Sequence, residues 1–257
     1  MLNKEIREFK VKIKNGAVYG LFSKTNDPGM IECIGYAGFD YIILDLEHGP
    51  NSVETLQGLI RAAQVSNILP IVRVKENNDS IIGEVLDIGA AGIQVPQVKS
   101  RVDAQRVVNL ARFAPDGMRG ICRFVRAAQY SSMDRFEYFK AANEALVIIQ
   151  LEGDEAINNL DEILDVKGID IVFIGLYDLS QSLGIPGQIN HPSVYKAMKK
   201  IINKCTDKGI YTGTFTDTIE NVTKWKNSGV QYIAYSVDMG LFYDKCKQII
   251  SNIRNEN

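Results

Sequence analysis

Lys167-Gly168-Ile169-Asp170-Ile171-Val172-Phe173-Ile174-Gly175-Leu176-Tyr177-Asp178 is the stretch that decides the fold. A helical segment ends at Gly168, the residue type that tolerates the left-handed conformation of a helix C-terminus. The chain then enters a β-branched and aromatic run. The run is apolar without alternation, as a parallel strand buried on both faces requires. It stops at a glycine followed three residues later by an acid.

The same junction recurs at Ala37-Gly38-Phe39-Asp40-Tyr41-Ile42, Ala91-Gly92-Ile93-Gln94-Val95, Lys208-Gly209-Ile210-Tyr211 and Ser228-Gly229-Val230-Gln231-Tyr232-Ile233. Five copies imply repeated βα units. Further strands fit at 18–23, 69–74 and 146–152, which brings the total to eight. Helical apolar spacing follows each strand, at 28–37, 53–66, 80–88, 102–113, 154–166, 192–208, 218–226 and 242–253. No Gly/Ser linker or charge block divides the chain, so residues 1–257 read as one domain. The expected fold is α/β, a closed (β/α)8 TIM barrel, for which about 250 residues is the usual size. An open doubly wound sheet is the competing architecture, but the first βα turn lacks G-x-G-x-x-G.

Lys plus Arg total 29 against 31 Asp plus Glu, a net charge of −2, with 46% hydrophobic and 23% charged residues. That balance excludes a disordered chain and argues against nucleic acid as a partner. No apolar run approaches the ~20 residues that span a bilayer, and the mixed-charge segment 1–14 is no signal peptide. Cys33, Cys122, Cys205 and Cys246 are scattered without a CxxC pair, which points to a reduced, cytoplasmic protein with no membrane partner.

Chemistry concentrates at strand ends. The second strand closes on Asp45-Leu46-Glu47-His48, the third carries Arg73 in an apolar run, the fifth ends Gln150-Leu151-Glu152, and the sixth leads to Asp178. Glu152 and Asp178 on neighbouring strands make an oxygen site for Mg²⁺ or Mn²⁺. Alternatively, both are acids complementing helix N-termini. His191, before Pro192, reads as a helix start, whereas His48 among acids suits either catalysis or structure. No lysine lies in 168–183, and Lys24 and Lys75 read as solvated loop charges, so a Schiff-base mechanism has little support. The long gap between the fourth and fifth strands, with Arg119, Arg123 and Arg126 and an extra helix near 132–143, reads as a loop on the catalytic face.

These motifs together resemble the HpcH/HpaI aldolase family, the metal-dependent class II pyruvate aldolases. The resemblance rests on Asp45-Leu46-Glu47-His48, Arg73, Gly89-Ala90-Ala91-Gly92-Ile93-Gln94-Val95-Pro96, Pro115-Asp116-Gly117-Met118-Arg119-Gly120, Gln150-Leu151-Glu152, Asn159-Leu160-Asp161-Glu162-Ile163 and Val172–Ser180 as a block (172–180). It implies a phosphoenolpyruvate/pyruvate-type barrel that cleaves a 4-hydroxy-2-oxo acid to pyruvate and an aldehyde, with another carbon–carbon lyase, a decarboxylase or a condensing enzyme as the alternative. It further implies Glu152 and Asp178 as ligands of Mg²⁺, Mn²⁺ or Co²⁺, and Arg73 on the keto oxygen. His48 would be the general base, acting through a water, with Asp87 as its orienting partner. Asp45, Gln150 and Tyr177 would lie around the pyruvyl group, and Arg126 on the aldehyde-derived part. A homo-oligomer, a hexamer exchanging its last helix, is the implied assembly. Two positions depart from the family pattern: Leu176 stands where proline is usual, which restores a backbone N–H, and Tyr177 stands where many members have a small residue.

Overall fold

A computed structural model describes residues 2–255, without the side chains of Leu2, Asn3, Asp79 and Asn255. Eight strands form in the expected places: β1 Val18–Ser23, β2 Tyr41–Asp45, β3 Leu69–Arg73, β4 Gly92–Val98, β5 Leu146–Leu151, β6 Ile171–Ile174, β7 Tyr211–Thr216 and β8 Tyr232–Val237. All neighbours pair in parallel, and β1 pairs with β8, closing the barrel in sequence order. Four of the five junction glycines, Gly38, Gly168, Gly209 and Gly229, take positive φ. The remaining junction differs. Gly89 supplies the left-handed residue there, while Gly92 sits inside β4, where a Cβ would come within 2.7 Å of the Leu146 backbone oxygen.

Strand residues alternate between two apolar layers. One set, including Ile42, Leu44, Val72, Ile93, Val95, Val147, Ile149 and Val172, packs outward against the helices. The other, including Tyr41, Ile43, Ile71, Ile148, Phe173 and Tyr232, fills the barrel, with the Tyr41 and Tyr232 rings stacked at 3.9 Å.

The helix Leu2–Asn15 was not part of the sequence expectation. Ile6, Phe9 and Ile13 repeat at helical spacing, and all three are buried against Val18, Tyr41, Leu69, Leu146 and Ile171 at the strand starts. The helix therefore closes the N-terminal end of the barrel, which leaves the C-terminal end as the open mouth. The segment expected as one helix at 154–166 forms two short ones, Gly153–Asn158 and Leu160–Leu164.

The insertion before β5 corrects a second expectation. It follows the helix Arg101–Ala111, so it connects a helix to a strand and lies at the N-terminal end, away from the mouth. Its own small core of Phe113, Ala128 and Tyr138 holds it together. Arg112 anchors it there, bonding the Ala145 carbonyl and pairing with Asp170 at 3.3 Å.

Candidate active site

The polar groups that the strand ends bring to the mouth form one connected set. Asp45 and Arg73 occupy register-matched positions of β2 and β3. The guanidinium donates from Nε to Oδ1 at 2.8 Å and from Nη2 to Oδ2 at 2.7 Å. Its third nitrogen, Nη1, lies 3.0 Å from Glu47 Oε2, an ion contact. Phe22 of β1 packs beneath, its centroid 4.7 Å from Cζ. Burial raises the Asp45 carboxyl. The Arg73 hydrogen bonds and charge, with the backbone N–H groups of His48 and Glu47, outweigh burial and hold it below its ordinary range.

On the next strands, beginning at the register partner of Arg73, Gln94 Nε2 donates to Gln150 Oε1 at 2.8 Å, and Gln150 Nε2 donates to Glu152 Oε1 at 2.5 Å. Glu152 occupies the position before the helix Gly153–Asn158, yet its side chain makes no capping bond. That observation disfavours the reading of Glu152 as a helix-dipole acid. Asp178 lies in the first turn of the helix Leu176–Ser182. Its Oδ2 folds back so closely over Gly175 that a Cβ there would meet it at 2.2 Å.

The carboxylates feel one another. Burial, then the charges of Asp178 and Glu47, raise the Glu152 pKa against the opposing Gln150 bond and Arg73 charge. Glu47 is raised too, first by burial, with Asp45 and Asp178 adding to it and Arg73 and His48 opposing. Asp45 and Arg73 neutralise each other, so Glu47, Glu152 and Asp178 remain as a surplus of negative charge facing one space. Two or three carboxylates with room for water and substrate oxygens suit a hard divalent cation. Among the described residues, no group of three or more His, Cys, Asp or Glu side chains is placed to hold a metal ion, so any cation here has at most two protein carboxylates.

The structure brings His48, Asp45, Arg73, Gln150, Glu152 and Asp178 to the same end of the barrel, with Tyr177 exposed beside Asp178. The His48 ring is largely exposed, and its Nε2 lies 3.9 Å from Glu47 Oε2. Asp87 and Arg126 do not join them. Asp87 ends the helix Asp79–Asp87 that leads into β4, and it pairs with Arg119 of the insertion. Arg126 bonds the Ile88 carbonyl at 3.1 Å and the Gln64 side chain, and it lines a cavity of about 470 Å³ with Arg119 and Tyr138. Both residues lie at the N-terminal end because Asp87 ends, and Arg126 follows, a helix that has run back from the mouth. Within one chain, then, Asp87 does not orient His48. His191 caps the helix Pro192–Asp207, its Nδ1 accepting from Ser193 N at 3.2 Å, as expected.

Glu47 and Gln94 are site residues that received no role from sequence. The signal for each was present: Glu47 is two residues beyond Asp45, and Gln94 is a polar residue in an apolar strand, like Arg73.

A closed parallel barrel, sealed at one end and carrying the Asp45–Arg73 pair and clustered carboxylates at the other, defines a (β/α)8 barrel with a candidate active site at its mouth. The chain belongs to the HpcH/HpaI aldolase/citrate lyase family, whose model matches residues 18–244. It is a carbon–carbon lyase of that family. It is 30% identical over 236 residues to the 5-keto-4-deoxy-D-glucarate aldolase of Shigella boydii serotype 18, covering 91% of each. A crystal structure of citrate synthase SbnG superposes with a TM-score of 0.87 at 33% identity, covering 100% of this chain and 99% of that one. An HpcH/HpaI aldolase/citrate lyase family protein from Burkholderia cenocepacia J2315 superposes at 0.89 with 28% identity, over 96% and 99%. Among the described residues, no helix is long and apolar enough to cross a membrane.

Proposed function

We propose that the chain is a divalent-metal-dependent aldolase cleaving a 4-hydroxy-2-oxo acid, of the sugar-acid-derived class, to pyruvate and an aldehyde. The observation that carries this reading is the cluster of Glu47, Glu152 and Asp178 carboxylates around the mouth beside the Asp45–Arg73 pair.

Glu152 and Asp178 hold the cation, Mg²⁺, Mn²⁺ or Co²⁺. When bound, it supplies Lewis-acid stabilisation of the charge that builds on the 2-oxo oxygen. Arg73 meets the same oxygen. Two of its five N–H groups are hydrogen-bonded to Asp45, and Nη1 lies against Glu47 without a hydrogen bond, so donors remain for substrate. Asp45 keeps the guanidinium oriented, so that little reorganisation accompanies enolate formation. His48 takes the proton of the 4-hydroxyl as the carbon–carbon bond breaks. Gln150 and the backbone at Tyr177 and Asp178 border the pyruvyl group.

Asp87 and Arg126 act in this reading from another copy of the chain, as partner to His48 and contact of the aldehyde-derived end. The helix Asp238–Asn255 supports such an assembly, since Phe242, Tyr243, Ile249, Ile250 and Ile253 stand exposed along it. The assembly is a homo-oligomer, a hexamer by family likeness, in a reducing cytoplasm.

The test is pyruvate release from a panel of 4-hydroxy-2-oxo acids, followed through lactate dehydrogenase, with and without chelator. Chelator and Glu152→Ala should each abolish it. Full activity in either case overturns the metal assignment.

A second reading, condensation at the same enolate site, is favoured by the whole-length likeness to citrate synthase SbnG and by Leu176, whose backbone N–H replaces a proline nitrogen beside Asp178. Mass spectrometry of products from oxaloacetate with acetyl-CoA, against pyruvate with aldehydes, separates the two.

A further inference from the structure

We propose that Gln94 is a positioning residue, which fixes the end of the Gln150 amide that faces Glu152 and so presets that carboxylate for a divalent cation. The inference rests on Glu152 being a cation ligand.

Gln94 lies in β4 between Ile93 and Val95 and is wholly buried. An interior barrel position of this kind is ordinarily filled by an aliphatic side chain, because a buried amide needs partners at both ends. Gln94 finds only one. Its Nε2 donates to Gln150, while its Oε1 is buried with no hydrogen-bond partner. An unpaired buried acceptor opposes packing, so what Gln94 contributes to the site is its donor.

The donor has one consequence. An amide presents a donor at one end and an acceptor at the other. Gln150 accepts from Gln94 through Oε1, so its Nε2 must turn toward Glu152, and it does so at 2.5 Å. With Gln94 aliphatic, Gln150 Oε1 loses its buried donor, and the amide is held from the Glu152 end alone. In the observed orientation Glu152 Oε1 is engaged by Gln150, and it is Oε2 that remains for a cation. Partners that orient a ligand in this way govern metal affinity.

The test is direct Mn²⁺ binding, read from the free-ion signal in electron paramagnetic resonance, on the full chain. Gln94→Leu and the length-preserving Gln94→Met should each weaken Mn²⁺ binding about tenfold, with the thermal midpoint of the metal-free protein retained. In a Gln150→Leu background, Gln94→Leu should add nothing. Unchanged Mn²⁺ affinity in both Gln94 variants, or an equally large Gln94 effect in the Gln150→Leu background, overturns the proposal. Glu152→Gln tells the two levels apart. If it binds Mn²⁺ like the parent, the cation reading falls and this one with it. If it loses Mn²⁺ while Gln94→Leu keeps it, only the role of Gln94 falls.

Discussion

Asp45 and Arg73 meet through two parallel hydrogen bonds, Nε to Oδ1 at 2.8 Å and Nη2 to Oδ2 at 2.7 Å, from matched positions on adjacent strands. The geometry needs a planar fork, which lysine lacks. Arg73→Lys should keep the charge and lose the orientation. In the aldolase assay kcat should fall about 10²–10³-fold, the scale of losing one preorganised donor from an anion-stabilising site. A parental kcat in this variant would remove Arg73 from the chemistry.

The same pair sets a pH dependence. The Asp45 carboxyl is held below its ordinary value in the folded chain. Its contribution to stability is therefore complete above the unfolded carboxylate pKa and is lost as pH falls through the folded one. Asp45→Asn should lower stability at neutral pH, because it breaks a buried pair and leaves Arg73 short of a partner, at a cost of about 3–5 kcal/mol. It should also flatten the acid limb of a plot of thermal midpoint against pH. A limb as steep as the parent's would assign that limb to other groups.

Glu152 has the opposite sign. Its folded pKa is raised by burial and by Asp178 and Glu47, so its ionised form opposes folding at neutral pH, and stability is regained as pH falls through the folded pKa. Glu152→Gln should raise the thermal midpoint of the metal-free protein, by about 2–4 °C for each kcal/mol relieved. Added Mn²⁺ should stabilise the parent by mass action and leave the variant unmoved. Differential scanning fluorimetry with and without Mn²⁺ reads both effects.

Gly175 has a φ of −75°, which any residue adopts, so its requirement is one of space. A Cβ would meet Asp178 Oδ2 at 2.2 Å. Gly175→Ala should fold with nearly parental circular dichroism while displacing the Asp178 carboxylate, and Mn²⁺ titration should show weakened binding. Parental affinity would mean that Asp178 moves freely without loss.

Asp87 pairs with Arg119 at the N-terminal end of its own barrel, far along the fold from His48. If Asp87 serves the His48 of another copy, His48→Ala and Asp87→Asn chains are each inactive alone. Mixed by denaturation and refolding, they should regain up to about a quarter of parental activity, since some sites then combine two intact halves. An inactive mixture with parental light scattering would confine Asp87 to its bond with Arg119.

The eight strands were legible because parallel strands buried on both faces leave near-continuous apolar runs, and helix ends leave glycines. Asp45, Arg73, Gln150, Glu152 and Asp178 stood out as polar breaks in those runs. The terminal helix Leu2–Asn15 was harder to read, because only Ile6, Phe9 and Ile13 among many charges mark its buried face. The insertion was assigned to the wrong end because strand spacing does not say whether extra residues precede or follow the intervening helix.

The sequence by itself determined the alternation of strands and helices and the strand ends on which chemistry collects, because burial and backbone conformation act locally on residue type. The tertiary structure decided which polar groups meet. The pairing of β2 with β3 set Arg73 between Asp45 and Glu47, and that of β4 with β5 linked Gln94 through Gln150 to Glu152. The reversal of direction in each helix carried Asp87 and Arg126 to the opposite end. Those relations depend on register and chain direction in three dimensions, which residue type along a line does not encode.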